Sequence, residues 1–173
     1  MAGPPRERAD GPPSPERAWD YLLTILARRM YTTAELAEKL RRRGVPEGQA
    51  RELIDRLVEL RLVDDAAYAA MYVDSRATAR GRLGLGRELA RKGVPRALID
   101  AQLSDLTPDA QRAAAAALLR KNEWRYRPAA GTAVGPELLR ARAKAFAFLA
   151  RRGFTVDAAQ GALEDVGWFA GDD

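Results

Sequence analysis

Between Arg76 and Arg96 the chain carries seven cations, Arg76, Arg80, Arg82, Arg87, Arg91, Lys92 and Arg96, against a single carboxylate, Glu88. Side chains of this kind at this density bind polyanions, either nucleic-acid phosphates or the carboxylates of an acidic protein groove. Charge on an ordinary solvated helix alternates in sign, whereas here it is segregated. Asp157 to Asp173 holds five acids and no base. Genome composition accounts for part of the arginine richness, 25 arginines to four lysines, but not for that segregation.

Inside the basic stretch, Gly81 to Arg87 reads GRLGLGR and invites comparison with a phosphate cradle. A dinucleotide fingerprint needs G-x-G-x-x-G at a strand-to-helix turn, and a P-loop needs Lys-Ser/Thr after its last glycine. Leu89 stands where the third glycine belongs, Arg87-Glu88 follow the last one, and the pattern before the stretch is helical. Nucleotide binding is therefore not expected. Two further cationic groups, Arg41-Arg42-Arg43 and Arg151-Arg152, directly precede a glycine. A cation there complements the helix dipole by about 0.3–1 kcal/mol, so a structural role and a secondary partner-binding role both stay open.

Histidine and cysteine are absent. That removes Ser-His-Asp and Cys-His catalysis, disulfides, and thiolate or imidazole metal ligation. Carboxylates and the lysines Lys39, Lys92, Lys121 and Lys144 remain, with no recognisable catalytic motif around them, so no enzymatic activity, metal or cofactor is expected. Asp64-Asp65 reads as a helix N-cap followed by a first-turn acid. Trp124-Arg125-Tyr126-Arg127 alternates aromatic and basic residues, as single-strand stacking sites can. The expected role of such a pair is nevertheless a helix-end aromatic tucked onto the core. Tyr68, Met71, Tyr72 and Trp168 are likewise expected in the core.

The elements that must position these groups are helical. Apolar spacing from Glu16 onward follows the helical period, with no sustained strand-like alternation. Thr32-Thr33-Ala34-Glu35 is a capping box, Gly44 ends the helix it starts, and Pro46 opens the next. The unit recurs, from Leu36 to Leu57, from Leu85 to Leu106 and, more faintly, from Ala145 to Val166. In each copy an apolar residue stands four before the glycine (Leu40, Leu89, Leu149) and another directly after it (Val45, Val94, Phe154). A leading helix before each copy completes an all-α fold of three tandem three-helix repeats, expected to stack into an elongated body that can curve. The expected boundaries are a disordered Pro-rich tail over 1–15 and repeats over 16–63, 64–106 and 107–173, the last with a loop at 125–136. No apolar run reaches the length of a membrane span and the tail has no hydrophobic signal core. A monomer in the cytoplasm is expected.

With the repeat in view, Leu62 to Val94 resembles the most characteristic stretch of the RecX family of RecA regulators. The matching features are Asp64-Asp65, Tyr68-Ala69, Arg76, Gly81 and Gly84, Leu89, and Lys92-Gly93. Leu149 to Phe154 is similar to that family's third-repeat signature. The likeness spans about residues 16 to 168, and departs from the family where the third unit is diluted with alanine and carries a proline-glycine loop. The resemblance implies a non-enzymatic negative regulator that binds the RecA–DNA filament and limits its growth, ATPase, strand exchange and coprotease activity. Its setting would be DNA recombination, repair and the SOS response. The alternative is a stand-alone DNA-binding module built on helix-turn-helix-like repeats. Weak, sequence-independent DNA binding is compatible with either.

Overall fold

A computed structural model describes residues 12–129 and 135–169, and every regular element among them is helical. Ten helices follow in order: α1 Pro15–Leu26, α2 Thr33–Arg42, α3 Glu47–Glu59, α4 Asp65–Arg76, α5 Arg82–Arg91, α6 Arg96–Ser104, α7 Pro108–Lys121, α8 Glu123–Tyr126, α9 Pro136–Arg151 and α10 Val156–Val166. The all-α architecture of tandem three-helix units is the one its periodicity predicts. Most of the expected tail lies outside the described residues, as do residues 130–134 of the expected loop. That loop begins later than expected, because Arg125 and Tyr126 belong to α8.

Local chemistry explains the helix boundaries. Thr32 accepts from the Glu35 amide at 3.0 Å while the Glu35 carboxylate accepts from the Thr32 amide at 3.2 Å, a complete capping box. Asp64 accepts from the amides of Ala66 and Ala67 and so caps α4. Gly44, Gly93 and Gly153 end α2, α5 and α9 with φ of 76°, 76° and 82°. In this left-handed region a side chain would clash with the backbone, which is why the repeat keeps glycine there. Pro46 and Pro95 sit one position earlier than expected, as N-cap residues of α3 and α6 with extended ψ.

The described residues divide into two compact units, residues 12–68 with 92–94, and residues 69–91 with 95–169. The first unit is built on Leu22, Leu36, Leu40, Leu53, Ile54 and Leu57, with Trp19, Tyr21 and Ile25 packed at its edge. In the second, α7, α9 and α10 enclose Leu119, Tyr126, Phe148, Leu149, Phe154 and Leu163. Alanines at 115, 116, 145, 158, 159 and 162 are buried there and allow the helices to approach closely. Leu40, Leu89 and Leu149, the residues four before each glycine, are all fully buried.

One expected core residue lies elsewhere, and of the two rings at Trp124 and Tyr126 only the second reaches the core. Met71 is exposed although its neighbours Tyr68 and Tyr72 are buried, because its position on α4 falls just outside the apolar arc. Trp124 is 82% exposed. Helix α7 stops at Lys121, and the short α8 that follows sends Tyr126 inward instead, where its ring stacks on Phe148 at 4.7 Å.

Candidate functional site

The glycine-rich stretch opens α5, and its backbone shows why no phosphate cradle forms. The amide of Gly81 donates to the Arg152 carbonyl at 3.0 Å, and the amides of Leu83 and Gly84 donate to the Gly153 carbonyl at 3.0 and 3.3 Å. The Arg82 amide donates to Oε1 of the buried Gln111 at 2.7 Å. These are the orphan donors that a helix start would otherwise offer to an anion. Here the C-terminal turn of α9 and the Gln111 side chain of α7 satisfy them, the former pairing the positive end of one helix dipole with the negative end of another. Contact is at backbone distance: a Cβ on Gly81 would lie 2.2 Å from the Phe154 nitrogen, and one on Gly84 would lie 2.6 Å from the Arg152 oxygen.

That junction brings together arginines 60 and more positions apart in the chain. Arg87, Arg91, Arg151 and Arg152 line a depression of about 460 Å³ with Gly84 and Glu88. None of the four is ion-paired to a carboxylate among the described residues. Arg87 donates only to the Leu83 carbonyl within its own helix, and Arg152 reaches the Ala79 carbonyl at 3.5 Å and lies over the Phe148 ring. The one carboxylate in the lining, Glu88, is already engaged by Arg80 at 2.9 Å and by the Tyr72 hydroxyl at 2.8 Å. Four guanidiniums with no acid to neutralise them repel one another and present forked donors that suit phosphate or carboxylate.

The first unit shows what the same slot looks like when neutralised. Lys92 holds the place that Arg152 holds in the third repeat, and its ammonium meets Glu35 at 3.2 Å. Hydrogen bonding to Tyr68 first, then to Glu35, raises its pKa above the ordinary lysine value. Its carbonyl accepts from the fully buried Thr32 hydroxyl at 2.6 Å. Counted along the repeat, Glu35 corresponds to Gly84 and Glu38 to Arg87. The second unit thus keeps the junction but lacks both acids.

The remaining expected site residues are placed as follows. Arg76, at the end of α4, is exposed with its guanidinium 4.5 Å above the Tyr72 ring. Arg80 belongs to the Glu88 network and is half-buried. Arg82 is exposed and lines a separate depression with Asp109, Arg112 and Asp157. Lys92 is held inside the first unit, and Arg96 is tied to Asp100 one turn on at 2.9 Å. Arg41 and Arg42 both grip Glu38, and hydrogen bonds from Arg41 and then Arg42 hold that carboxyl down at about 2. Arg43 lies 3.5 Å over the Tyr21 ring.

Of the twelve residues singled out by charge, Arg87, Arg91, Arg151 and Arg152 therefore converge on one surface. Sequence reasoning passed over Arg140, Arg142 and Lys144, exposed on α9, where Glu137 is the only acid. The signal was there in the scarcity of acids between Arg125 and Arg152. Among the described residues no group of three or more carboxylates could hold a metal, and no helix is long and apolar enough to cross a membrane.

Comparison with known proteins bears on the fold and the family. Residues 18–57 match the family model for the first three-helix domain of RecX, and residues 64–103 match that for the second. The chain is 36% identical over 156 residues to the regulatory protein RecX of Thermobifida fusca, covering 84% of this chain and 80% of that one. To the RecX of Mycobacterium sp. strain KMS it is 41% identical over 107 residues, 61% of this chain and 58% of the relative. The crystal structure of RecX from Lactobacillus salivarius is similar in fold, with a TM-score of 0.74 at 21% identity over 88% of this chain and 96% of that one. A tandem of three-helix domains carrying these residues belongs to the RecX family of regulatory proteins.

Proposed function

We propose that this protein is a negative regulator of the RecA recombinase, binding the RecA–DNA filament and limiting its growth, ATPase, strand exchange and coprotease activity. The observation that carries the reading is the gathering of Arg87, Arg91, Arg151 and Arg152 on one surface without carboxylate partners among the described residues. A filament of protein on DNA is polyanionic along its DNA, and a non-catalytic regulator needs only a complementary face to occupy it. Arg76 and Arg82 extend the cationic character of this unit, whereas Arg80 and Lys92 serve the fold and Arg96 is an exposed partner of Asp100. The protein acts as a cytoplasmic monomer on this reading.

Titration of the protein against preformed RecA filaments, following the DNA-dependent ATPase rate and filament length together, tests it. The expected result is a fall in both at protein concentrations well below saturation of free DNA. Unchanged ATPase and strand exchange at filament-saturating concentrations would falsify the proposal. The alternative of a stand-alone, sequence-reading DNA-binding module has less support. Helix α6, in the position of a recognition helix, offers few base-reading side chains, Arg96, Asp100 and Gln102, and two of these pair with each other.

A further inference from the structure

Trp124 is the most unusual side chain on the surface. Tryptophan is highly buried on average, and here an indole is 82% exposed on a short helical turn. The cause is local. Asn122 ends α7, its side-chain amide donating to the Leu118 carbonyl at 2.8 Å, and the four-residue α8 follows. Residues two apart on a helix face roughly opposite ways, so once Tyr126 is anchored against Phe148, Trp124 must point outward. The Tyr126–Phe148 stack, 25° from parallel, holds the turn rigidly beneath the indole.

Its surroundings are cationic rather than apolar. Trp124 lines a depression of about 570 Å³ with Arg120, Lys121, Glu123, Arg127 and Pro128. Arg127 pairs with Glu123, and Arg120 donates to the Asp165 carbonyl. Lys121 and Arg125 are exposed with no ion pair among the described residues. On α9 the exposed Lys144 ammonium lies 5.9 Å from the Tyr126 ring centroid, so a further cation flanks the turn. An apolar peptide groove would surround the indole with aliphatic side chains. A flat ring flanked by two cations without an ion pair among the described residues, Lys121 and Arg125, instead suits a ligand that is aromatic on its face and anionic at its edge, which describes a nucleotide unit. A base within a duplex already stacks on its neighbours, so the ligand must be single-stranded.

We infer that Trp124 is a stacking platform for a base of single-stranded nucleic acid, with Lys121 and Arg125 on the adjoining phosphates. The site lies apart from the Arg87–Arg152 depression in its lining residues and needs no RecA, so its failure and that of the regulatory function are separable.

The test is fluorescence anisotropy of a labelled oligothymidylate titrated with the full chain and its variants. Trp124→Ala is expected to weaken binding about tenfold, equivalent to about 1.4 kcal/mol, with circular dichroism unchanged because the indole supports nothing beneath it. Trp124→Phe is expected to recover most of the affinity, since any aromatic face stacks. The double change Lys121→Ala with Arg125→Ala should reduce the slope of log K against log salt by about 1.4, roughly 0.7 for each single-strand phosphate no longer neutralised. Duplex DNA of the same length should not distinguish Trp124→Ala from the parent. Unaltered oligothymidylate affinity in Trp124→Ala, or an equal loss on duplex, overturns the inference. So does a Trp124→Ala protein that binds the oligonucleotide normally but no longer acts on filaments, which would assign the ring to a protein partner.

Discussion

A Cβ placed on Gly153 would lie 2.1 Å from the backbone nitrogen of Gly84. The two glycines are 69 positions apart in the sequence, and they meet where the start of α5 reaches the end of α9. Gly84 is helical, which costs about 1 kcal/mol relative to alanine in an unpacked helix. The approach of the Gly153 and Arg152 carbonyls supplies the compensation, through hydrogen bonds that no larger residue would allow.

Gly84→Ala should therefore destabilise the protein despite the better helix propensity of alanine. Overpacking against backbone typically costs about 1–3 kcal/mol, and the Arg152 carbonyl is not free to retreat from its bond to Gly81. Gly86→Ala is the control. Its Cβ would meet the Leu103 Cδ1 at 3.2 Å, the end of a side chain that can yield, so propensity and crowding nearly cancel within about 0.5 kcal/mol. Urea unfolding of the two variants separates them, and equal midpoints would show that the junction tolerates a methyl.

Charge reversal at Arg87, Arg91 and Arg151 should abolish filament inhibition while leaving the helical signal and melting temperature close to the parent. These three are exposed and carry no carboxylate partner among the described residues, so replacing them breaks no ion pair there. Full inhibition by a folded triple variant would move the binding surface elsewhere.

Arg80→Ala should do the opposite, lowering stability with little direct effect on the partner. Glu88 is only 15% exposed at its side chain and would keep the Tyr72 hydroxyl but lose its cation. A loss of about 1–3 kcal/mol is expected for that half-satisfied group. Arg96→Ala removes an exposed pair to Asp100, worth about 0–1 kcal/mol at most, and should be nearly silent. Chemical denaturation of the two variants side by side gives the comparison, and an Arg80 variant as stable as the Arg96 one would exclude the network.

Glu38 should stay ionised well into acid, titrating at about 2 because Arg41 and Arg42 both hydrogen-bond its carboxylate. Its folded value lies below its unfolded one, so its contribution is present above the unfolded carboxylate value. It fades as pH falls from about 4.5 toward 2. Carboxyl carbon shifts followed by NMR would read this directly, and the double change Arg41→Ala with Arg42→Ala should return Glu38 to the ordinary glutamate range. Titration of the parent near 4.5 would show that both arginines prefer solvent.

Much of the fold was legible because its signals are local. The box at Thr32 and Glu35, the left-handed glycines at 44, 93 and 153, and the leucines four residues before them act within one or two helical turns. Each follows from propensity and period, and repetition at fixed spacing reinforced them. The site was legible only in part. Charge density singled out Arg87 and Arg91, and the comparison of Glu35 with Gly84 showed that the start of α5 lacks its acid. It did not separate them from Arg80, whose partner Glu88 lies two turns into the following helix. A helix-end aromatic tucked onto the core was legible at Trp124 to Arg127, but which of the two rings it is depends on where α7 breaks, at Asn122, and so on which ring reaches Phe148.

The sequence by itself determined the helical repeat, the absence of histidine and thiol chemistry and the segregation of charge, since all of these are properties of composition and short-range spacing. Only the tertiary structure decided which cations remain without a counter-charge. Neutralisation depends on distance in space: Lys92 finds Glu35 across 57 positions of chain, while the Arg152 guanidinium, at the equivalent place, reaches only the Ala79 carbonyl and the Phe148 ring.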